Sequence, residues 1–277
     1  MTATVLTAHR VAKPWGRRQL GTGFPDCGPD QDPVGEIWFG TPGNFAPELL
    51  VKYIFTSERL SVQVHPGDAQ AQAAGLPRGK DECWLILDAA PDSTIALGTT
   101  HPVERAALRE AAIDGSIELL LDWKPVQAGD FFHVPSGTVH AIGAGITLIE
   151  VQQNSETTYR LYDYGRPREL HLDAGVAVAD PVPYASPDAP GEVAPGRRLL
   201  VEGPTFMLER WTDARRRFAL PAEATAWLIP IAGTGQVDGV AFAPGQCLSL
   251  AGTVDLRSDA GSDLLVAYAG DRRITLD

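Results

Sequence analysis

Residues 129–142 read Gly129-Asp130-Phe131-Phe132-His133-Val134-Pro135-Ser136-Gly137-Thr138-Val139-His140-Ala141-Ile142. An apolar and aromatic run ends at Pro135, the chain turns at Ser136-Gly137, and a second run restarts through His140. That is a strand, a tight turn and another strand. The same punctuation recurs along the chain, which has 28 Gly and 22 Pro in 277 residues. Between the turns, Leu49–Phe55, Leu60–Val64, Trp84–Leu87, Thr94–Leu97, Ile146–Gln152 and Thr158–Tyr162 read as strands. Thr205–Trp211, Ala226–Ile231, Gly235–Val237 and Leu264–Ala269 follow. Evenly spaced short strands predict a mainly β fold of sandwiches or small barrels.

One stretch breaks the pattern. Pro102–Ile113 is rich in Ala, Leu, Glu and Arg, with Pro in the first turn, and predicts a helix capped by Thr100 or His101. Ile117–Leu121 continues as a second short helix, and Asp68–Ala74 as another. The helical part is therefore an insertion at about residues 100–122, inside a β chain. Residues 181–196 are dense in Pro, Ala and acidic side chains, the composition of a linker or crossover. This predicts a first domain over residues 1–180, a linker over 181–196 and a second β domain over 197–277. The second part contains no His, since the last is His171.

Lys plus Arg total 23 against 35 Asp plus Glu, giving a formal charge of −12. That argues against duplex nucleic acid and anionic membranes as partners, both of which need a basic footprint. No run of about 18 apolar residues exists to span a bilayer. The opening residues carry no basic segment followed by an apolar run, so no signal peptide is expected. Cys27, Cys83 and Cys247 are odd in number and widely spaced, which is no disulfide framework. A cytoplasmic setting is the simplest expectation.

Three segments concentrate chemistry. In Ser61-Val62-Gln63-Val64-His65-Pro66, strand alternation puts Gln63 and His65 on one face. In Gly79-Lys80-Asp81-Glu82-Cys83-Trp84, Lys80 and Glu82 share a face and Cys83 points to the other. The third segment is 129–142, with His133 and His140. Imidazoles plus a carboxylate on neighbouring strands can bind a borderline cation such as Zn²⁺, with a Gln oxygen as a further ligand. His9, His101 and His171 read as ordinary hydrogen-bonded residues, and His133 is ambiguous.

These segments resemble those of the short bacterial type I mannose-6-phosphate isomerases, zinc enzymes of the cupin superfamily. The resemblance runs from about Lys13 to His171. It includes Lys13–Gly16, Gly35–Trp38, the three segments above, and Gln152-Gln153-Asn154-Ser155-Glu156-Thr157-Thr158-Tyr159-Arg160-Leu161-Tyr162-Asp163. It implies two cupin-like β-barrel or jelly-roll domains, the second degenerate and without a metal triad. It implies His65, Glu82 and His140 as ligands of one Zn²⁺ per chain, with Gln63 as an additional ligand. It implies Arg160 as the active-site arginine, and Lys80 as a residue of catalysis and substrate binding. His133 stands where relatives have Tyr, and Asp81 where a small or hydroxyl residue is common; both departures bear on substrate preference.

The implied reaction interconverts mannose 6-phosphate and fructose 6-phosphate through a cis-enediol. Zn²⁺ polarises the carbonyl, and a base moves a proton between C2 and C1. Lys80 and Glu150 are the candidates for that base; Arg160, always protonated, orients the sugar or steadies negative charge. Arg160, Arg166, Arg168, Lys80 and Lys124 are candidates for the phosphate. The same ligands could instead hold Fe²⁺ for dioxygen chemistry, serve another sugar phosphate, or form a non-catalytic sugar-phosphate sensor. The expected partner is a small sugar phosphate, with monomer and homodimer both open.

Overall fold

The computed structural model describes residues 2–40, 47–187, 191–221 and 224–275. Its strands form four antiparallel sheets. A six-stranded sheet runs in the order Ala8–Arg17, Val34–Phe39, Leu49–Phe55, Ile146–Gln153, Glu82–Ala89, Phe131–Val134. A five-stranded sheet runs Tyr159–Tyr162, Val62–Val64, His140–Ile142, Thr94–Thr99, Leu121–Pro125. The chain's second half builds a seven-stranded sheet around Phe206–Thr212, Asp263–Ala269 and Ala226–Ala232, and a four-stranded sheet around Thr253–Ser258. The fold is mainly β and cupin-like, with the helical insertion where the sequence predicts it.

Residue alternation explains the layering. In Leu49–Phe55, Val51, Tyr53 and Phe55 face one way while Ile54 faces the other. In Glu82–Ala89, Cys83 and Leu85 oppose Trp84 and Ile86 in the same manner. Trp84, Ile86 and Leu148 pack on Ile95, Leu97 and Ile142 of the five-stranded sheet, which closes the first sandwich. On the reverse face, Val51, Tyr53, Leu85 and Ile149 pack on Phe206, Leu208, Trp227 and Leu265 of the seven-stranded sheet. The six-stranded sheet is thus buried on both faces, and its central strands read as near-continuous apolar runs. Met207, Trp211 and Leu228 meet Phe218, Val254 and Leu256 inside the second sandwich.

Helices cover the outer face of the five-stranded sheet. Leu108 and Ala112 of Arg105–Asp114 and Ile117 of Ile117–Leu120 pack on Val62, Val64, Ala96 and Leu161. The first of these helices starts later than the sequence predicts, with Glu104 at its cap position and no side-chain capping bond. The Val103 N–H is drawn instead to the Pro181 carbonyl at 2.8 Å, so neither Thr100 nor His101 caps it. Leu121 leaves its helix to begin a strand. A fourth helix, Leu172–Val178, has Gly175 against Leu161, where a Cβ would come within 2.7 Å of Leu161 Cδ2.

Ala3–Val5 pairs with Leu248–Leu250 in the seven-stranded sheet, so the chain begins on the second sandwich before building the first. Gly191–Ala194, within the stretch expected as linker, is that sheet's other edge strand. Residues 188–190 of the same stretch lie outside the described residues. No helix among the described residues is long and apolar enough to cross a membrane.

The shared core predicts one cooperative unfolding transition. Trp227 is 1% exposed at the centre of the contact between sandwiches. Trp227→Ala is expected to cost about 3–5 kcal/mol in urea denaturation while keeping a single transition. Two separated transitions in the wild type would contradict the joint core.

Candidate metal centre and its cavity

The double burial of the six-stranded sheet leaves its inward polar side chains with only one another. Glu82, Lys52, Glu150 and Gln152 all lie on that inner face, at positions where register pairs Glu150 with Lys52 and Trp84, and Gln152 with Glu82. Lys52 Nζ donates to Glu150 Oε1 at 3.0 Å and to Gln152 Oε1 at 2.5 Å. Trp84 Nε1 donates to Glu150 Oε2 at 3.3 Å. From the facing sheet come Gln63 and His140, which are register partners, and Arg160, partner of Gln63. His65 follows immediately after the strand Val62–Val64.

His65, Glu82 and His140 each offer a ligand atom, and these atoms lie within 4.8 Å of one another. His65 Nε2 is 3.4 Å from Glu82 Oε2, and His140 Nε2 is 3.3 Å from Glu82 Oε1. All three are at most 1% exposed. The imidazoles are oriented from behind. His65 Nδ1 lies 2.9 Å from the Thr157 carbonyl and His140 Nδ1 lies 2.9 Å from the Thr138 carbonyl. A carbonyl only accepts, so each Nδ1 carries the proton and each Nε2 turns a lone pair inward.

Neither Glu82 oxygen receives a hydrogen bond of good geometry, and Lys80 Nζ approaches Oε2 as a charge partner at 2.9 Å. Lys80 Nζ also lies 3.1 Å from His65 Nε2, and Gln63 Nε2 lies 3.2 Å from His140 Nε2. Lone pairs therefore converge from two imidazoles and a buried carboxylate, met only at their margin by the Lys80 ammonium and the Gln63 amide. That is the donor set of a divalent cation such as zinc, and a half-turn of the Gln63 amide would add its oxygen.

Electrostatics agree. Burial, reinforced by Lys80, holds His65 well below its usual pKa, and burial brings His140 down to about 4. Both are neutral near pH 7, as metal ligands must be. Burial pushes Glu82 up to about 7 against the pull of Lys80. Glu150 goes the other way: burial would raise it, but Lys52 and Lys80 hold it at about 2.

Gln63 and Lys80 separate the three ligands from a cavity of about 410 Å³ that they line. Glu150 and Arg160 line it too, as do Trp15, Trp38, Lys52 and His171. Arg160 makes no ion pair within 4 Å; its Nη1 donates to the Glu169 carbonyl at 2.8 Å. Cys83 lies on the far face of the sheet, bonded to the Val151 carbonyl at 3.5 Å. Lys124 pairs with Asp122 at 2.5 Å, and Arg166 pairs with Asp163 and Glu58; neither lines the cavity. His133 stands outside the cavity, its ring centroid 6.2 Å from Phe206. Asp81 accepts from the Ser136 N–H at 2.8 Å and the Thr205 hydroxyl at 2.9 Å, tying the two halves of the chain together.

Lys52 and His171 are among the cavity residues to which the sequence assigns no role. Lys52 left a signal, a lysine inside the apolar run LLVKYIF. His171 left none, because its place depends on the chain doubling back to meet Arg160, whose carbonyl accepts the His171 N–H at 2.7 Å.

The fold and site define a cupin-like β protein with a buried His65/Glu82/His140 group able to hold a metal ion. Comparison with known proteins narrows the class. The chain is 45% identical over 160 residues to the Bacillus subtilis mannose-6-phosphate isomerase ManA, covering 53% of this chain and 50% of that protein. It is 42% identical over 147 residues to the mannose-6-phosphate isomerase of Streptococcus mutans, covering 50% of this chain and 46% of that protein. The chain thus spans about half the length of the curated relatives it matches. The crystal structure of mannose 6-phosphate isomerase from Bacillus subtilis superposes with a TM-score of 0.78 at 26% identity, over 96% of this chain and 99% of that one. A zinc-bound mannose 6-phosphate isomerase structure shares the fold with a TM-score of 0.70 at 15% identity, over 98% of this chain and 100% of that one. No protein-family model matches. In sequence over half its length, and in fold throughout, the chain resembles mannose-6-phosphate isomerases.

The raised Glu82 pKa sets a pH dependence for metal binding. Below about pH 7 the metal must displace the Glu82 proton, while both imidazoles are already neutral. Zn²⁺ affinity is expected to be flat above about pH 7 and to fall about tenfold per unit below it. Competition against a chromogenic chelator across that range measures the slope. A profile that stays flat well below pH 7 would contradict the assignment.

Proposed function

We propose that this chain is a zinc-dependent aldose–ketose isomerase that interconverts mannose 6-phosphate and fructose 6-phosphate. The observation that carries the reading is the convergent ligand group behind Gln63 and Lys80, beside a polar cavity, on a fold shared with isomerases of that name. His65, Glu82 and His140 would hold the metal, with Gln63 as a further ligand. A bound zinc supplies Lewis acidity toward the sugar carbonyl.

The chain's own residues do the rest. The reaction moves a proton between C2 and C1 of the open-chain sugar, with a cis-enediol between the two ends. Of the two candidate bases, Glu150 is held at about 2 and is occupied by Lys52 and Trp84. A group so far from neutral pH is a weak proton acceptor, so Glu150 fixes Lys52. Lys80 Nζ stands between the ligand group and the cavity, and as the neutral amine, its own proton first given up, it would take the proton from one carbon and return it to the other. Arg160 stays charged and orients the sugar. Trp15 and Trp38 wall the cavity and limit water.

The division into residues 1–180, a linker over 181–196 and residues 197–277 is part of the proposal, with Ala3–Val5 and Gly191–Ala194 crossing it as strands of the second sandwich, and so is a cytoplasmic setting. Three free cysteines, two of them buried, support a reducing compartment.

Purified protein assayed for conversion of fructose 6-phosphate to mannose 6-phosphate tests the reading. Chelation is expected to abolish turnover, and Zn²⁺ at about one per chain to restore it. Lys80→Met is expected to lower kcat by about 10²- to 10⁴-fold with metal content unchanged. Full metal occupancy without turnover would overturn the named reaction.

A further inference from the structure

In a chain of net charge −12, one wall of the cavity gathers three cationic or N–H-bearing side chains: Arg160, Arg168 and His171. Each is fixed by the protein yet keeps a donor in reserve. Arg168 gives Nε and Nη2 to the two oxygens of Asp163, at 2.5 and 2.7 Å, and Asp163 is 2% exposed. That bidentate clasp immobilises the guanidinium and leaves Nη1 without a partner among the described residues. Arg160 spends Nη1 on the Glu169 carbonyl, while its Nε is buried with no partner at all. His171 Nδ1 accepts the backbone N–H of Arg160 at 3.2 Å, which places the ring proton on Nε2 as a donor.

These groups are uncomfortable without an anion. Burial, and next the Arg168 guanidinium beside it, push Arg160 below its usual pKa. The other candidate and cavity cations are paired with carboxylates, Arg166 with Glu58 and Asp163, Lys124 with Asp122, Lys13 with Glu36, Lys52 with Glu150 and Lys80 with Glu82. The wall is also the right neighbour for the ligand group, because Gln63 is the register partner of both Arg160 and His140. Preorganised N–H donors lining the same cavity suit the oxygens of a phosphate monoester.

We propose that Arg168 and His171, together with Arg160, form the subsite that receives the phosphoryl group of the sugar phosphate. The proposal rests on the isomerase reading and specifies which residues distinguish a phosphorylated from a free sugar. Asp163 is a positioning residue that holds Arg168 in place, and His171 is a donor to a phosphoryl oxygen.

The test compares Arg168→Met, His171→Phe and the donor-retaining His171→Asn on fructose 6-phosphate and on unphosphorylated fructose, with calorimetry of inorganic phosphate. Arg168→Met and His171→Phe are expected to raise KM for fructose 6-phosphate about 10- to 100-fold, with kcat changed less than about threefold. The ratio of kcat/KM on fructose 6-phosphate to that on free fructose should fall in step with phosphate affinity, and His171→Asn should recover most of the loss. Equal losses on both sugars, or unaltered KM and phosphate binding, would overturn the subsite while leaving the isomerase reading in place. If the wild type turns over neither sugar but binds phosphate through Arg168 and His171, the subsite stands and the isomerase reading fails.

Discussion

A sheet buried on both faces can keep a charge on its inner side only by answering it locally. This constraint organises the first sandwich. The reverse face of Leu49–Phe55, Glu82–Ala89 and Ile146–Gln153 is committed to the second sandwich, so Lys52, Glu82, Glu150 and Gln152 must be answered on the inner side, where Lys52 and Glu150 border the cavity. Lys52 satisfies Glu150 and Gln152 together. Glu82 is left with two oxygens that accept no well-formed hydrogen bond, facing two imidazole lone pairs. An unanswered carboxylate in that setting costs several kcal/mol unless a proton, an ammonium or a metal ion meets it.

The second sandwich has its own buried carboxylate and resolves it differently. Glu209, 0% exposed, is bracketed by the Arg197 guanidinium, with Nη2 at 2.7 Å from Oε1 and Nε also bonded to Oε2. Trp211 Nε1 at 2.7 Å and the Tyr268 hydroxyl at 2.5 Å complete the set. Arg197 also reaches the Ile274 carbonyl at 2.7 Å, pinning the last described residues to the core. Every lone pair direction around Glu209 meets a donor, so nothing there invites a cation. One half of the chain has spent its buried acid on structure, and the other has kept it for chemistry.

How far the sequence was readable follows from the same layering. Leu49–Phe55 and Phe131–Val134 were legible to the residue, and Ala226–Ala232 nearly so, because their apolar content bounded by turns leaves little choice. Arg215–Ala219 and Thr253–Ser258 were not, since each has an outward face rich in Arg or Asp and only three core residues between them, Phe218, Val254 and Leu256. The shared face of Gln63 and His65 and the opposite sense of Cys83 were readable from strand alternation alone. Bringing His140 beside them needed the resemblance, because a turn breaks the alternation after Pro135. The role of Lys52 was hidden in tertiary register: only the pairing of Glu150 with Lys52 shows that an odd lysine in an apolar strand is a satisfied one. The carbonyls of Thr138 and Thr157, which orient the imidazoles, have no sequence signature at all.

The lone pairs of His65, Glu82 and His140 face one another behind Gln63 and Lys80, in position to hold one divalent ion. The optical spectrum of the Co²⁺-loaded protein tests it most directly, because band positions and intensities report the ligands whether or not the enzyme turns over. The account expects one Co²⁺ per chain, a low-symmetry spectrum that His140→Ala abolishes, and a shift on adding fructose 6-phosphate. A spectrum of fully hydrated Co²⁺, or one indifferent to His140→Ala, would contradict it.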